Sequence, residues 1–166
     1  MLKLTFPDGS VREFDDGANG LAVAESISKS LAKAALAVAL DGVLWDLKRP
    51  ITMNAAIRII TAKDTEGLDL IRHDAAHVLA QAVQELFPGT QVTIGPVIED
   101  GFYYDFARPE PFSTDDFEAI EKKMAAIVDA DYAIEREEWD REKAIAHFRS
   151  IGEEYKAQII EDLPES

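Results

Sequence analysis

The feature that most constrains this chain is a change of period. Up to residue 60 the apolar side chains sit in short runs cut by turn residues, often alternating with polar ones; from Leu70 to Phe87 they recur every three or four positions without a break. Period two belongs to strands and period 3.6 to helices, so the chain starts as a small sheet and continues around a long helix. Leu2, Leu4 and Phe6 alternate with polar residues, Pro7-Asp8-Gly9-Ser10 turns, and Val11-Arg12-Glu13-Phe14 returns. Ala37-Val38-Ala39-Leu40 and Val43-Leu44-Trp45 flank Asp41-Gly42, a strong hairpin signal. Between the hairpins Leu21, Ala24, Ile27, Leu31 and Ala35 form a helical stripe, with Ser28 and Ser30 as candidate breaks, and Ile57-Arg58-Ile59-Ile60 adds a last strand.

That order, ββαββ plus a closing strand in about sixty residues, resembles a ubiquitin-like β-grasp fold, which alone implies no function. Charge then separates the two parts. The 166 residues hold 17 Lys and Arg against 32 Asp and Glu, a net charge of −15. Residues 1–61 carry seven basic and seven acidic side chains, whereas residues 62–166 carry ten and twenty-five. The polar stretch Thr61–Gly67 between them predicts two domains, 1–62 and 63–166, rather than one domain with an acidic half. So acidic a chain does not hold a polyphosphate through its overall field. It has no cysteine, which excludes a disulfide or thiolate metal site within these residues. No apolar run approaches the ~18 residues of a membrane span, so a cytoplasmic globular protein is expected.

The second part reads as α+β. On the 70–87 helix, which Pro88-Gly89 stops, Ile71, Ala75, Val78, Ala82 and Leu86 form the expected core stripe. His73 and His77 lie nearly opposite, sharing their side with Ala80 and Gln84 rather than with the charges of a solvated face; this predicts that they look into a cleft or another element. Imidazoles one turn apart can converge on a metal or a polar substrate. A metalloprotease pattern needs Glu directly after the first histidine, where Asp74 stands, and a closed metal site needs more ligands than the remaining histidine, His147, supplies. No metal is therefore expected at this site. Val92–Glu99, Asp100-Gly101 and Phe102–Phe106 predict a third hairpin, with Phe102, Tyr104 and Phe106 on one buried face unless a tyrosine hydroxyl enters the histidine cleft. Beyond it, Ser113 caps a helix with apolar positions Phe117, Ile120, Met124, Ile127 and Val128. Tyr132–Arg136 reads as a strand, and Asp140 opens a helix through Phe148. In Glu153–Ile160 Lys156 reads as a surface charge, and Glu137-Glu138 and Glu153-Glu154 as solvated faces.

The strings Ile60-Thr61-Ala62-Lys63-Asp64, Arg72-His73-Asp74-Ala75-Ala76-His77 and Ile94-Gly95-Pro96-Val97-Ile98-Glu99-Asp100-Gly101-Phe102-Tyr103-Tyr104-Asp105, in this order of elements, resemble the N-terminal part of bacterial threonyl-tRNA synthetases. The resemblance covers the whole chain: a TGS domain, then the first part of an α+β editing domain with a long HxxxH helix. It implies a parent enzyme that joins threonine to tRNA(Thr) with ATP and removes serine attached by mistake. The need for removal has a physical basis, because one methyl group supports only ~10–200-fold discrimination in a pocket and serine, being smaller, cannot be shut out. The resemblance implies that His73 and His77 line the editing pocket, with Tyr104 binding substrate and Lys156 in or beside it. An imidazole there can position or deprotonate water and a lysine can steady developing negative charge. It also implies a homodimeric parent, with magnesium and a zinc ion held in a core beyond these residues and no cofactor in the residues themselves. The family's Cys-x-x-x-His motif is missing, so the expectation is an N-terminal fragment that hydrolyses mischarged tRNA poorly or not at all. Two other readings compete: an RNA-binding or regulatory TGS module without catalysis, and a free-standing metal-dependent hydrolase.

Overall fold

The structure, a computed structural model, describes residues 1–164. They form two compact units, the first Met1–Ile71 and the second the described residues from Arg72 onward.

In the first unit β1 (Leu2–Thr5) and β2 (Val11–Phe14) pair antiparallel, with Leu2 opposite Phe14. Asn19 starts α1 (Gly20–Ile27) by accepting from the Ala22 N–H at 2.9 Å. The single predicted helix becomes two at Ser28. Its extended backbone (φ −166°) ends α1, and its hydroxyl accepts the Leu31 N–H at 3.1 Å to begin α2 (Lys29–Ala34). One side chain thus closes one helix and caps the next. β3 (Ala35–Leu40) and β4 (Val43–Asp46) follow, joined by Asp41 and Gly42 at φ 47° and 85°, the paired positive angles of a type I′ turn. β5 (Ala55–Thr61) completes a sheet ordered β2-β1-β5-β3-β4, in which β1 and β5 run parallel.

Strand alternation explains the core. Leu2, Leu4, Val38, Leu40 and Ile57 face one side, where they pack with Val23 of α1 and with Ile51. Each such side chain, fully buried, contributes about 1.5–3 kcal/mol. On the other face Ala37, Ala39 and Ile60 pack with Leu70. Leu70 belongs to α3 (Thr65–Leu86), which starts five residues before the predicted Leu70. Asp64 supplies the missing start signal. Its carboxylate accepts the Thr61 N–H at 2.8 Å and the Thr61 hydroxyl at 2.9 Å, and its carbonyl accepts the Leu68 N–H. The same Thr61 bonds, backbone first, hold this carboxyl below its ordinary pKa, with Arg58 adding to them.

Along α3 the buried residues include Ala76, Ala80, Ala82 and Val83, while Ile71 and Leu86 are exposed. Of the predicted stripe Ile71–Ala75–Val78–Ala82–Leu86 only Ala82 is buried, and the centre of the buried face is turned by about one residue, or ~100°. Alanines permit close approach on the true face, and the bulkier residues that dominated the pattern lie beside it. The third hairpin forms in two pieces. β6 (Gln91–Val92) pairs with β9 (Phe106–Ala107), and β7 (Val97–Ile98) with β8 (Gly101–Phe102). Between them the ladder is irregular around Gly95-Pro96, carried by Thr93 N–H to Asp105 O (3.2 Å) and Asp105 N–H to Ile94 O (3.1 Å).

Ser113 and Asp116 form a reciprocal capping box ahead of α4 (Phe117–Asp129). Ile120 and Ile127 of that helix are buried, but Phe117 and Val128, also predicted for its core face, are exposed. Tyr132–Arg136 is not a strand: the segment has no regular structure and Ile134 is 87% exposed. Nothing among the described residues pairs with it as a ladder, and an alternating pattern without a neighbouring strand has no backbone partners to form one. Asp140 precedes α5 (Arg141–Ser150), and α6 (Glu154–Asp162) packs along α5. No helix of the described residues is long and apolar enough to cross a membrane.

Candidate active site

His73 and His77 meet one turn apart on α3, their Nε2 atoms 3.0 Å apart and the rings nearly perpendicular at 88°. A contact this short requires one Nε2–H to donate and the other Nε2 to accept. His77 is held below its ordinary pKa. Desolvation is the largest cause, followed by the neighbouring His73; Asp74 opposes them, and Lys156 lowers the value further. A neutral imidazole that resists protonation suits a general base. In this arrangement the one free Nε2 lone pair is spent on the partner ring, so a water accepted between the rings would have to part them.

The helix positions four side chains on this side. Beyond His73 and His77, Ala80 is buried and Gln84 is half-buried. The neutral character of this face therefore has a structural cause: its C-terminal half is covered, while the two imidazoles at its N-terminal half are exposed. At the two histidines, then, the described residues leave the rings open to solvent and do not form the expected cleft. Gln84 Nε2 donates to Glu153 Oε1 at 2.6 Å, and Glu153 Oε2 lies 3.5 Å from the Lys156 ammonium. With only 15% of its side chain exposed, Glu153 is not the solvated charge expected from the acidic run. Lys156 is not a free surface charge either, since it lies between that carboxylate and the face of Phe148, 5.8 Å from the ring centre.

Tyr104 stacks on Phe106 with centroids 5.0 Å apart, and burial followed by the charge of Glu153 pushes its phenol up. Its place depends on Gly95. A Cβ there would lie 2.2 Å from the tyrosine ring, closer than non-bonded atoms come. Phe102, Tyr104 and Phe106 all line an apolar hollow of about 390 Å³ with Leu79, Val83 and Met124. They share one side, as expected, and neither imidazole lines that hollow.

The four predicted site residues are accordingly not gathered in one cavity: His73 and His77 meet each other, Lys156 pairs with Glu153, and Tyr104 lines the apolar hollow. The sequence reading missed Glu153, Gln84 and Gly95. Only Gln84 left a signal, as a neutral residue on the histidine face. No group of three His, Cys, Asp or Glu among the described residues is placed to hold a metal ion. The ammonium of Lys156 also disfavours a cation beside His77.

Comparison with known proteins gives this geometry a context. Residues 2–61 match the TGS domain family. The chain is 68% identical over 163 residues to the threonine–tRNA ligase of Hyphomonas neptunium, covering 98% of this chain and 25% of that protein. It is 65% identical over 165 residues to the threonine–tRNA ligase of Maricaulis maris (99% and 26%), and 62% over 171 residues to that of Caulobacter vibrioides (100% and 26%). Over its whole length the chain is a relative of threonyl-tRNA synthetases. It spans about a quarter of the length of the curated relatives it matches. The N-terminal β-grasp unit is the TGS part of that likeness.

Proposed function

We propose that this chain serves a threonyl-tRNA synthetase as its TGS domain and as part of a hydrolytic editing site that clears serine from tRNA(Thr). The whole enzyme joins threonine to tRNA(Thr) in the cytoplasm, as a homodimer that uses ATP and magnesium and holds zinc in its core. The observation that carries the editing reading is the pair of converging imidazoles, one held neutral, with a lysine charge beside them. With the rings parted to admit a water, the neutral imidazole takes a proton as the water oxygen adds to the seryl carbonyl; the adduct then breaks its bond to the ribose oxygen of the terminal adenosine, which takes the proton back from the imidazolium, so serine and tRNA(Thr) leave. The Lys156 ammonium steadies the negative charge that develops on the ester oxygens, and Tyr104 contributes to the wall that receives the substrate. Because His73 and His77 stand exposed, these 166 residues alone release serine slowly or not at all.

The test is His73→Ala in the whole enzyme, with seryl-tRNA(Thr) and threonyl-tRNA(Thr) measured separately. Accumulation of the seryl form with threonylation intact supports editing. Unchanged fidelity with weakened RNA binding would instead favour an RNA-binding module whose histidines are structural.

A further inference from the structure

Glu153 stands at a junction that neither its sequence context nor the family likeness marks. Its N–H donates to Phe148 O at 2.8 Å and its carbonyl accepts the Ala157 N–H at 3.1 Å, which fixes its backbone between α5 and the first turn of α6. Ala157, fully buried, lies in that same turn. The two carboxylate oxygens point to different elements. Oε1 takes the Gln84 amide of α3 at 2.6 Å, and Oε2 faces Lys156 of α6 at 3.5 Å. Gln84 is held in turn, its Nε2 also reaching Thr90 O at 3.4 Å. A long lysine side chain left to itself samples many rotamers, and its charge then spreads over a wide volume. A carboxylate fixed by a second helix removes much of that freedom.

We propose that Glu153, braced by Gln84, is a positioning residue that holds the Lys156 ammonium beside His77. Gln84 lies seven residues after His77 on the same face of α3, so the helix that carries the imidazoles also orients the carboxylate that orients the lysine. Oε2 is buried and accepts no hydrogen bond, which leaves its charge directed at Lys156 rather than shared with another donor. The pair thus fixes the Lys156 ammonium toward the face of α3 that carries His77 two turns before Gln84. This role rests on the hydrolytic reading of the site, whereas the placement of Lys156 does not.

Glu153→Gln tests it, because the new amide oxygen still accepts from Gln84 while the charge facing Lys156 is gone. Gln84→Leu removes the brace and leaves the carboxylate. In the 166-residue chain, with folding checked by circular dichroism, both variants should raise the rate of Lys156 acetylation about two- to fivefold, the factor a partly exposed ion pair withholds. The imidazole titration of His77, followed by NMR, should move upward by about 0.2–0.5 pH unit as the lysine charge drifts away. Loss of a negative charge acting directly would move it downward, so the sign separates positioning from simple charge. An unmoved lysine rate, or a fall in the His77 midpoint, overturns the proposal. In the whole enzyme, Glu153→Gln should slow seryl-tRNA hydrolysis about tenfold in kcat with little change in KM. A released lysine with an unchanged hydrolysis rate also overturns the positioning role. No hydrolysis by the unaltered enzyme would sink the editing reading instead, and the acetylation and titration results would still decide where Lys156 is held.

Discussion

Tyr104 lies so close over Gly95 that a single methyl group there has nowhere to go. Gly95→Ala should displace the ring from Phe106 and cost about 1–3 kcal/mol, the usual penalty for overpacking, read as a lower thermal midpoint and a lower Tyr104 titration midpoint as the phenol regains water. His77 gives a second prediction. Its folded-state pKa lies below the ordinary histidine value of about 6.5. The folded state therefore disfavours the imidazolium: the contribution to stability is complete above that value and is lost as pH falls through the folded midpoint. An NMR titration should place His77 below 6.5, and His77→Gln should remove this part of the acid sensitivity. At this scale His73 and His77 were legible, because a four-residue spacing on a helix fixes their proximity. Glu153 was not, because its partner Gln84 stands 69 residues away in sequence.

At the scale of elements, hydrogen bonds between near neighbours made the first unit readable. Alternation and turn chemistry predicted its strands, and Ser28 was a candidate break that the structure uses as a cap. Ser28→Ala should lower stability by about 1 kcal/mol in urea unfolding, since it leaves the Leu31 N–H without its side-chain acceptor. Two elements misled. The phase of α3 was set by bulky residues, whereas the buried face is built from alanines. The Tyr132–Arg136 alternation lacked a strand to pair with. Residues 131–140 are all exposed and none lies in a helix or strand, so limited trypsin digestion should cut first at Arg136, within this segment, before any site in α4. First cleavage inside α4 would contradict this.

At the scale of the whole molecule, the uneven charge matters most. The excess of acidic residues lies in 62–166, and the TGS portion is neutral. Affinity for a polyanion grows with the number of phosphates neutralised. These 166 residues should therefore bind tRNA(Thr) more weakly than about 100 µM at physiological salt, the weak end of non-specific binding. Fluorescence anisotropy showing micromolar binding under those conditions would require a basic surface that the composition does not predict.

What the amino-acid order determined unaided is whatever depends on residues within about a turn or a hairpin of each other: period, turn type, caps and the convergence of two histidines. The tertiary structure alone decided the rotation of α3 about its axis, the irregular centre of the third hairpin over Gly95, and the burial of Glu153 between Gln84 and Lys156. The first and last of these rest on contacts between segments far apart in the chain, and the hairpin centre on how the Tyr104 ring packs over Gly95; in each, packing and desolvation outweigh local preference. Of an acidic pair that looks solvated in one dimension, Glu154 stays exposed while Glu153 is largely withdrawn from solvent once a distant helix presents an amide to it.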